Sequence, residues 1–139
     1  MQVALIKMDG FYSGSPDPAK LEGRGSVEDS LEGFVVDALE DKKGEDIVLL
    51  DIKDIASFTD YFIICTGTSD RMLDALASTA VDEIKKKHKK KGKKQGLSRD
   101  GWVVVDFGDV VVHLLSPDQR DYYGIEELWE DGKVLLRLK

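Results

Sequence analysis

Apolar residues recur at helical spacing in two segments of the first ninety residues. The first helix is predicted to begin near Ser26 or Val27 and to end at Gly44, since glycine suits the position after the last turn. A second, longer helix is predicted with Thr68 or Ser69 as its N-cap, and it is expected to end in a run of lysines near residue 92. The apolar stripes of the two helices are Leu31, Phe34, Val35, Ala38 and Leu39, and then Met72, Leu73, Leu76, Ala77, Ala80, Val81 and Ile84.

Short apolar runs predict five strands. They cover residues 47–52, 61–66, 102–107, 110–115 and 133–138. Only Gly108 and Asp109 separate the third run from the fourth, which predicts a hairpin with a two-residue turn of the primed kind. The unbroken apolarity of residues 61–66 indicates a strand that is covered on both faces.

A third helix is predicted after the hairpin. Ser116 at the N-cap, Pro117 at the first helical position and Gln119 two residues later have the pattern of a capping box. The residues expected on the inner face of this helix are Tyr122, Ile125, Leu128 and Trp129.

The element order α-β-β-α-β-β-α-β predicts the fold class. It indicates one α/β domain over residues 26–139, with helices packed on a mixed sheet of about five strands. Residues 1–25 hold four of the 13 glycines and two of the three prolines, so they are expected to form a flexible tail. A strand at residues 3–6 is the open alternative for this segment.

Charge is distributed unevenly along the chain. The net charge is −7, yet residues 85–94, the lysine run, hold eight of the 20 basic residues, which leaves 12 basic against 27 acidic residues elsewhere. An acidic body argues against general nucleic-acid binding, because phosphate is bound by Lys and Arg. The lysine run has three interpretations: a solvated helix end, a contact with RNA phosphate, or a localisation signal.

The last third of the chain combines acids with aromatic residues. Residues 101–131 hold eight Asp or Glu, and Arg120 is the only Lys or Arg among them. Tyr122, Tyr123, Trp102 and Trp129 lie in the same segment. Opposite charge steers association and aromatic side chains anchor interfaces, so this segment is predicted to dock onto a basic partner rather than to catalyse a reaction.

Few residues could support catalysis or metal binding. Cys65, the single cysteine, lies in an apolar run and is interpreted as a small buried residue. His88 lies among lysines and is interpreted as solvated. His113 shares a strand face with Val111 and Leu115 and is interpreted as a hydrogen-bonded structural residue rather than a base. No cofactor, metal site or membrane span is predicted, and the expected location is the cytoplasm, or an organelle matrix in a eukaryote.

The loop of Gly67, Thr68 and Ser69 leaves one enzymatic alternative open. It lies between a strand and a helix, where free backbone N–H groups can hold a phosphate. Nucleotidyltransferases have a Gly-Ser loop at this position, but they need an Asp-x-Asp pair on the following strand to hold Mg²⁺. Since this chain offers Asp106 alone, a capped helix start is favoured over a nucleotide-binding or nucleotidyl-transferring enzyme.

Four groups of residues together carry a resemblance to a known family. They are Asp51; residues 59–69 with Arg71; residues 102–113; and Arg120 with Tyr123, Glu126, Leu128 and Trp129. From about residue 30 to residue 139 the sequence resembles the ribosomal silencing factor family, also called the Iojap-related family. The resemblance implies a binding protein, not an enzyme, with a fold akin to that of nucleotidyltransferases without their catalytic carboxylates. Family members bind large-subunit ribosomal protein fourteen, block subunit joining by their bulk, and so repress translation.

Two features depart from the family pattern. Gly124 stands inside the predicted last helix, where the family has a longer side chain, and glycine there should cost roughly 0.5–1 kcal/mol relative to alanine. The lysine run is unusually basic, so the resemblance assigns it no role.

The resemblance and the charge pattern together suggest a partner-binding surface. Its expected members are Trp102, Asp106, Asp109, His113, Arg120, Tyr122 and Tyr123. Trp102, Val104 and Asp106 alternate onto one strand face, which is expected to be exposed because burying a lone carboxylate is costly. The candidates for a contact with ribosomal RNA are Lys85, Lys86, Lys89 and Lys90. Exposed aromatic surface is also compatible with a homodimer in the absence of the ribosome.

Overall fold

The computed structural model of this protein describes residues 30–139. They form helices α1 (Leu31–Asp41), α2 (Asp70–His88), α3 (Pro117–Tyr123) and α4 (Ile125–Leu128), and strands β1 (Glu45–Asp51), β2 (Tyr61–Thr66), β3 (Lys93–Gln95), β4 (Trp102–Asp106), β5 (Val110–Leu115) and β6 (Lys133–Leu138). The tail expected at residues 1–25 lies outside the described residues.

The strands form one mixed sheet in the order β3-β4-β5-β2-β1-β6. Strands β2 and β5 are parallel, and the other neighbours are antiparallel. The α/β class is confirmed, with six strands where about five were expected. The additional strand is β3, which lies at the edge and pairs with β4. Its sequence has no apolar residue, so hydrophobic pattern could not predict it.

Both faces of the sheet are covered. Alternate residues of each central strand point to opposite sides, so each strand contributes to both faces. Helices α1 and α2 pack on one side, which we call the α1/α2 face; Leu39, Leu76 and Ile84 are fully buried there. The other side, the Trp129 face, is covered by Ile125, Trp129 and the segment of residues 52–58. The strand residues of the Trp129 face include Val48, Leu50, Phe62, Ile64, Trp102, Val104, Val111 and Leu115.

Helix α1 begins later than predicted. Ser30 has an extended backbone, and its hydroxyl accepts a hydrogen bond from the Gly33 N–H (3.1 Å). A helix running from residue 26 through Ser30 is therefore wrong, because Ser30 itself is the N-cap.

The end of α1 also differs from the prediction. The left-handed conformation falls on Lys43 (φ 69°), not on Gly44. Gly44 is needed for packing instead, since a Cβ atom there would lie 2.5 Å from the sulfur of Cys65. Cys65 is fully buried, as expected, and burial raises the pKa of its thiol to about 12.

The start of α2 and the turn of the β4–β5 hairpin agree with the prediction. The Ser69 hydroxyl accepts a hydrogen bond from the Met72 N–H (3.0 Å), so the predicted N-cap is confirmed. At the β4–β5 turn the Phe107 N–H donates to the Val110 carbonyl (2.8 Å), and Gly108 has φ +92°. A positive φ at the first turn residue is the hallmark of the primed hairpin turns.

The helix predicted after β5 is two short helices. The Ser116 hydroxyl caps α3 by accepting from the Gln119 N–H (3.2 Å), as predicted. Gly124 then ends α3 in the left-handed conformation (φ 53°), and its N–H donates to the Arg120 carbonyl. The expected penalty for glycine inside a helix is therefore wrong, because Gly124 is a C-cap, where glycine is favoured.

Candidate partner-binding surface

Helix α3 presents acids and tyrosines to solvent. Asp118 and Tyr122 are one helical turn apart, and Asp121 lies next to Tyr122; all three are exposed. Tyr122 is 79% exposed and Tyr123 is 40% exposed, and their ring centroids are 5.0 Å apart. The inner position expected for Tyr122 is wrong, although Ile125 and Trp129 are buried as expected. We call Asp118, Asp121, Tyr122 and Tyr123 the α3 surface.

Trp102 packs against Tyr123 of the α3 surface. Its ring centroid lies 4.5 Å from that of Tyr123, and the residue is only 3% exposed. The expectation that Trp102 is solvent-facing is therefore wrong. Alternation correctly puts Trp102 and Val104 on one strand face, but this is the covered Trp129 face. A direct contact of Trp102 with a partner would require this packing to open.

His113 is a structural residue of the same cluster. It is fully buried, its Nδ1 accepts a hydrogen bond from Trp102 Nε1 (3.2 Å), and its ring packs on Phe62 with centroids 4.7 Å apart. Burial lowers the pKa of His113 to about 3. The interpretation of His113 as a hydrogen-bonded structural residue is confirmed, and its burial prevents direct contact with a partner in this conformation.

Arg120 joins α3 to the ends of β1 and β2. Its side chain is 11% exposed; Nε donates to Glu126 (2.9 Å), and Nη1 donates to the Asp46 carbonyl (2.7 Å) and the Thr66 hydroxyl (2.8 Å). Burial by itself raises the pKa of Glu126, but the hydrogen bond and charge of Arg120, together with Arg137, bring it below its usual value. These groups line a polar cleft of about 420 Å³. Most of the Arg120 bonding capacity is used within the fold, so Arg120 positions α3.

Asp106 and Asp109 lie at the other end of the sheet from the α3 surface. Tyr123 packs on Trp102, whereas Asp106 ends β4 four residues later, about 13 Å along the strand at roughly 3.3 Å per residue. The Asp106 carboxylate accepts the Gly108 N–H (2.7 Å), and Asp109 pairs with Lys90 (3.0 Å). Asp106 and Asp109 are therefore not adjacent to Tyr122, and their place in one binding surface with Tyr122 stays a prediction.

The loop of the enzymatic alternative is also far from Asp106. Thr66 pairs with Leu115, and Leu115 pairs with Trp102, so the loop after Thr66 lies at the Trp102 end of the sheet. Asp106 lies at the opposite end and is partly buried. Among residues 30–139, no group of three His, Cys, Asp or Glu side chains is placed to hold a metal ion. Within that same range, no helix is long and apolar enough to cross a membrane.

Sequence reasoning counted Asp118 and Asp121 among the acids of the last third of the chain but did not assign them to the partner-binding surface. Asp118 and Asp121 lie on the exposed side of α3 with Tyr122. The spacing of Asp118 and Tyr122 by four residues could have revealed them, since residues four apart share one helix face. Exposed Leu97 was missed as well. A Cβ atom added to the preceding residue, Gly96, would lie 2.4 Å from the Trp102 carbonyl oxygen, so Leu97 lies near the Trp102 end of β4.

Comparison with known proteins agrees with the motifs. The family described as "Ribosomal silencing factor during starvation" matches residues 27–138. The chain is 43% identical over 97 residues to the Ribosomal silencing factor RsfS of Bacillus subtilis, covering 70% of this chain and 82% of that protein. It is 39% identical over 100 residues to the protein of the same name from Haemophilus influenzae, covering 72% of this chain and 98% of that protein.

A more distant relative and a crystal structure agree with the family match. The chloroplastic protein Iojap of Zea mays is 33% identical over 129 residues, covering 90% of this chain and 56% of that protein. A crystal structure of a Chromobacterium violaceum protein superposes with a TM-score of 0.69 at 40% identity, covering 72% of this chain and 83% of that one. By family match, relatives and fold, the chain belongs to the ribosomal silencing factor family.

Proposed function

We propose that this protein binds large-subunit ribosomal protein fourteen through the α3 surface and blocks joining of the ribosomal subunits by its bulk. The supporting observation is the exposed pair Tyr122 and Tyr123 beside Asp118 and Asp121 on one short helix. Family membership supports a role in translation regulation on the ribosome. Ribosomal proteins are basic, so an acidic, aromatic surface suits them in charge and supplies anchors for an interface.

The proposed mechanism needs no chemical step. Trp102 and Arg120 hold α3 in place from beneath, and the bound domain occupies space that the small subunit requires. Translation is repressed as long as the complex persists. The proposed site of action is the cytoplasm, or the matrix of an organelle in a eukaryote. A contact with ribosomal RNA would add a second binding surface, and a homodimer would shield the tyrosines of α3 when no ribosome is present.

A nucleotidyl-transferring enzyme is the weaker proposal. The loop of Gly67, Thr68 and Ser69 and the carboxylate of Asp106 lie at opposite ends of the sheet, and Ser69 is used as a helix cap. Titration with nucleoside triphosphates and Mg²⁺ tests it. Metal-dependent turnover that Asp106→Asn abolishes would favour the enzyme.

Co-sedimentation with separated ribosomal subunits tests the first proposal. The wild-type protein is expected to pellet with large subunits and not with small subunits. Tyr122→Ala should weaken binding about thirtyfold, because truncating an interface aromatic often costs about 2 kcal/mol. Reversal of both acids, Asp118→Lys with Asp121→Lys, should weaken binding further at low salt.

A matched variant controls for net charge. Glu40 and Asp41 are exposed acids at the end of α1, and reversing both to lysine changes the charge by the same amount outside the α3 surface. This variant should bind like the wild type. If the folded Tyr122→Ala and Asp118→Lys/Asp121→Lys proteins bind as tightly as the wild type, α3 is not the interface. Wild-type pelleting with small subunits alone would refute the proposal itself.

A further inference from the structure

The lysine run is held against the domain. Lys89 ends α2 in the left-handed conformation (φ 56°), which turns the chain back toward the sheet. Gly92 then packs on Phe107 so closely that a Cβ atom would lie 2.6 Å from the ring. Lys90 pairs with Asp109 (3.0 Å), and β3 follows along the edge of β4. The lysine run therefore has a defined position in the fold.

Five of the eight lysines form no salt bridge within the described part of the chain. Lys86 pairs with Glu83 (3.7 Å), Lys90 with Asp109, and Lys94 with Asp74 (3.6 Å). The remaining lysines, which we call the unpaired lysines, are Lys85, Lys87, Lys89, Lys91 and Lys93, and all five are exposed. This set differs from the four lysines expected from sequence, because Lys86 and Lys90 have acidic partners.

The unpaired lysines and the α3 surface lie at opposite ends of the molecule. Helix α2 begins just after Thr66, at the end of the sheet where Tyr123 packs on Trp102. Its 19 residues carry the chain about 28 Å, at 1.5 Å per residue, to the lysines at the other end. Lys93 pairs in register with Asp106, also at that end. The α3 surface thus lies at one end of the molecule, and the unpaired lysines lie at the other end together with Asp106 and Asp109.

The chemistry of the unpaired lysines fits a phosphate backbone. Lysine ammonium groups are point charges suited to phosphate, and five exposed charges within nine residues can follow several phosphates. The lysine run contains no Phe, Tyr or Trp on which a base could stack, and His88 packs on Phe34 (5.4 Å) instead. Membrane-surface helices add an apolar face to their lysines, and this run offers none.

We propose that Lys85, Lys87, Lys89, Lys91 and Lys93 bind the phosphate backbone of large-subunit ribosomal RNA without reading its bases, as a second contact about one domain length from the α3 surface. The inference rests on the proposed function, because a ribonucleoprotein partner presents both a basic protein and RNA. Binding at two ends would hold the domain in one orientation on the subunit.

Salt dependence of binding tests this inference. The affinity of the wild-type protein for large subunits is measured from 50 to 300 mM KCl, alongside a variant with Gln at all five unpaired lysines. Each phosphate contact contributes about 0.7–0.9 to the slope of log affinity against log salt, so the variant's slope should be shallower by at least about 1. The same positions changed to Arg should keep the wild-type slope, since the charge is retained.

A matched pair controls for charge alone. Lys91→Gln/Lys93→Gln and Lys42→Gln/Lys43→Gln each remove two exposed charges, but Lys42 and Lys43 lie at the end of α1. Only the first pair should flatten the slope. An unchanged slope in the five-Gln variant, or equal flattening by both pairs, would overturn the inference while leaving the proposed function intact.

Protein-free large-subunit RNA separates the two proposals. If the wild type fails to bind large subunits, the proposed function fails, and binding to this RNA decides the inference alone. If the wild type binds this RNA with a salt dependence that is absent in the five-Gln variant, the inference is supported. If the wild type does not bind this RNA, the inference is overturned. Lysine-dependent binding to vesicles with 30% phosphatidylglycerol but not to RNA would also overturn it, in favour of a membrane surface.

Discussion

The hydrogen bond between Trp102 and His113 sets the protonation state of the histidine. Trp102 Nε1 donates, so His113 Nδ1 must be the acceptor and the ring proton is on Nε2. Nε2 is buried without a partner among the described residues. Protonation of Nδ1 would break the bond with Trp102 and place a charge in an apolar cluster. The cost of burying that charge lowers the pKa of His113 to about 3.

Stability is therefore expected to fall with pH below the ordinary histidine pKa. Between pH 6.5 and 3 the unfolded chain binds a proton at His113 and the folded chain does not, so acid favours unfolding. The loss approaches about 1.4 kcal/mol per pH unit within this window. Urea unfolding from pH 7 to 5 measures it, because the lowered pKa of Glu126 takes effect only below 4.5. The slope in His113→Gln should be smaller; an equal slope would contradict the assignment.

Trp129 and Trp102 are expected to stabilise the fold, whereas Tyr122 is not. Trp129 is 1% exposed and packs on Phe62 (5.0 Å) and Phe58 (6.0 Å). Truncating a buried Trp to alanine typically costs about 3–5 kcal/mol, because a cavity remains. Trp129→Ala and Trp102→Ala should therefore lower the unfolding free energy by this order. Tyr122→Ala, at an exposed site, should change it by less than about 0.5 kcal/mol. Wild-type stability of Trp102→Ala would show that its ring is not core.

At the level of elements, the break between α3 and α4 depends on Gly124. Its φ of +53° is left-handed, and an added Cβ would meet no atom closer than 3.7 Å, so the cost of a side chain comes from the backbone alone. Gly124→Ala should destabilise the protein by about 1 kcal/mol, and Gly124→Asn by less, since Asn tolerates this conformation. Thermal melting of the two variants measures the difference. Stabilisation by alanine would mean that the segment is one continuous helix.

Some elements could be predicted to the residue because turn signals flank them. Strand β2 lies between Asp60 and Gly67, β5 between Asp109 and Ser116, and β6 follows Gly132; the apolar runs and the observed bounds agree. Strand β3 could not be predicted, because its pairing comes entirely from backbone hydrogen bonds with β4 and its side chains are exposed.

The exposure of Trp102 could not be predicted for a different reason. Alternation shows which residues share a strand face, but it does not show what covers that face. Trp102 is covered by Tyr123 of α3, whereas residues 52–58 and Trp129 cover other parts of that face. Asp106 suggested an exposed face, yet it is the last residue of β4 and its carboxylate caps the hairpin turn. The acidic, aromatic character of α3 was readable from composition because it needs no long-range partner.

At the scale of the whole molecule, one end is acidic and aromatic and the other carries the unpaired lysines. A net charge of −7 conceals this separation, because the acids outnumber the lysines over the rest of the chain. Only the folded topology, in which α2 runs the length of the domain, places the two surfaces at opposite ends. The proposed binding mode depends on this arrangement, since a single surface would leave the domain free to pivot on the subunit.

If the domain blocks subunit joining by occlusion, inhibition must be stoichiometric. Each bound protein removes one large subunit from the joining reaction, and nothing turns over. A titration of subunit joining, followed by light scattering at subunit concentrations well above the dissociation constant, should reach full inhibition at about one protein per large subunit. Tyr122→Ala should shift the titration to higher concentration in proportion to its lost affinity and still reach full inhibition.

The enzymatic alternative predicts another titration curve. A catalyst that modified subunits would inhibit joining at substoichiometric amounts, and inhibition would increase with time and require Mg²⁺ with a nucleotide. It would also persist after the protein was removed by a high-salt wash, whereas occlusion ends once the charge-assisted contacts of α3 and the lysines are screened. Time-dependent, wash-resistant inhibition that Asp106→Asn abolishes would therefore replace the binding mechanism with a catalytic one. Immediate inhibition that the wash reverses, unchanged in Asp106→Asn, is the outcome expected from the separation of Asp106 and the Gly67 loop.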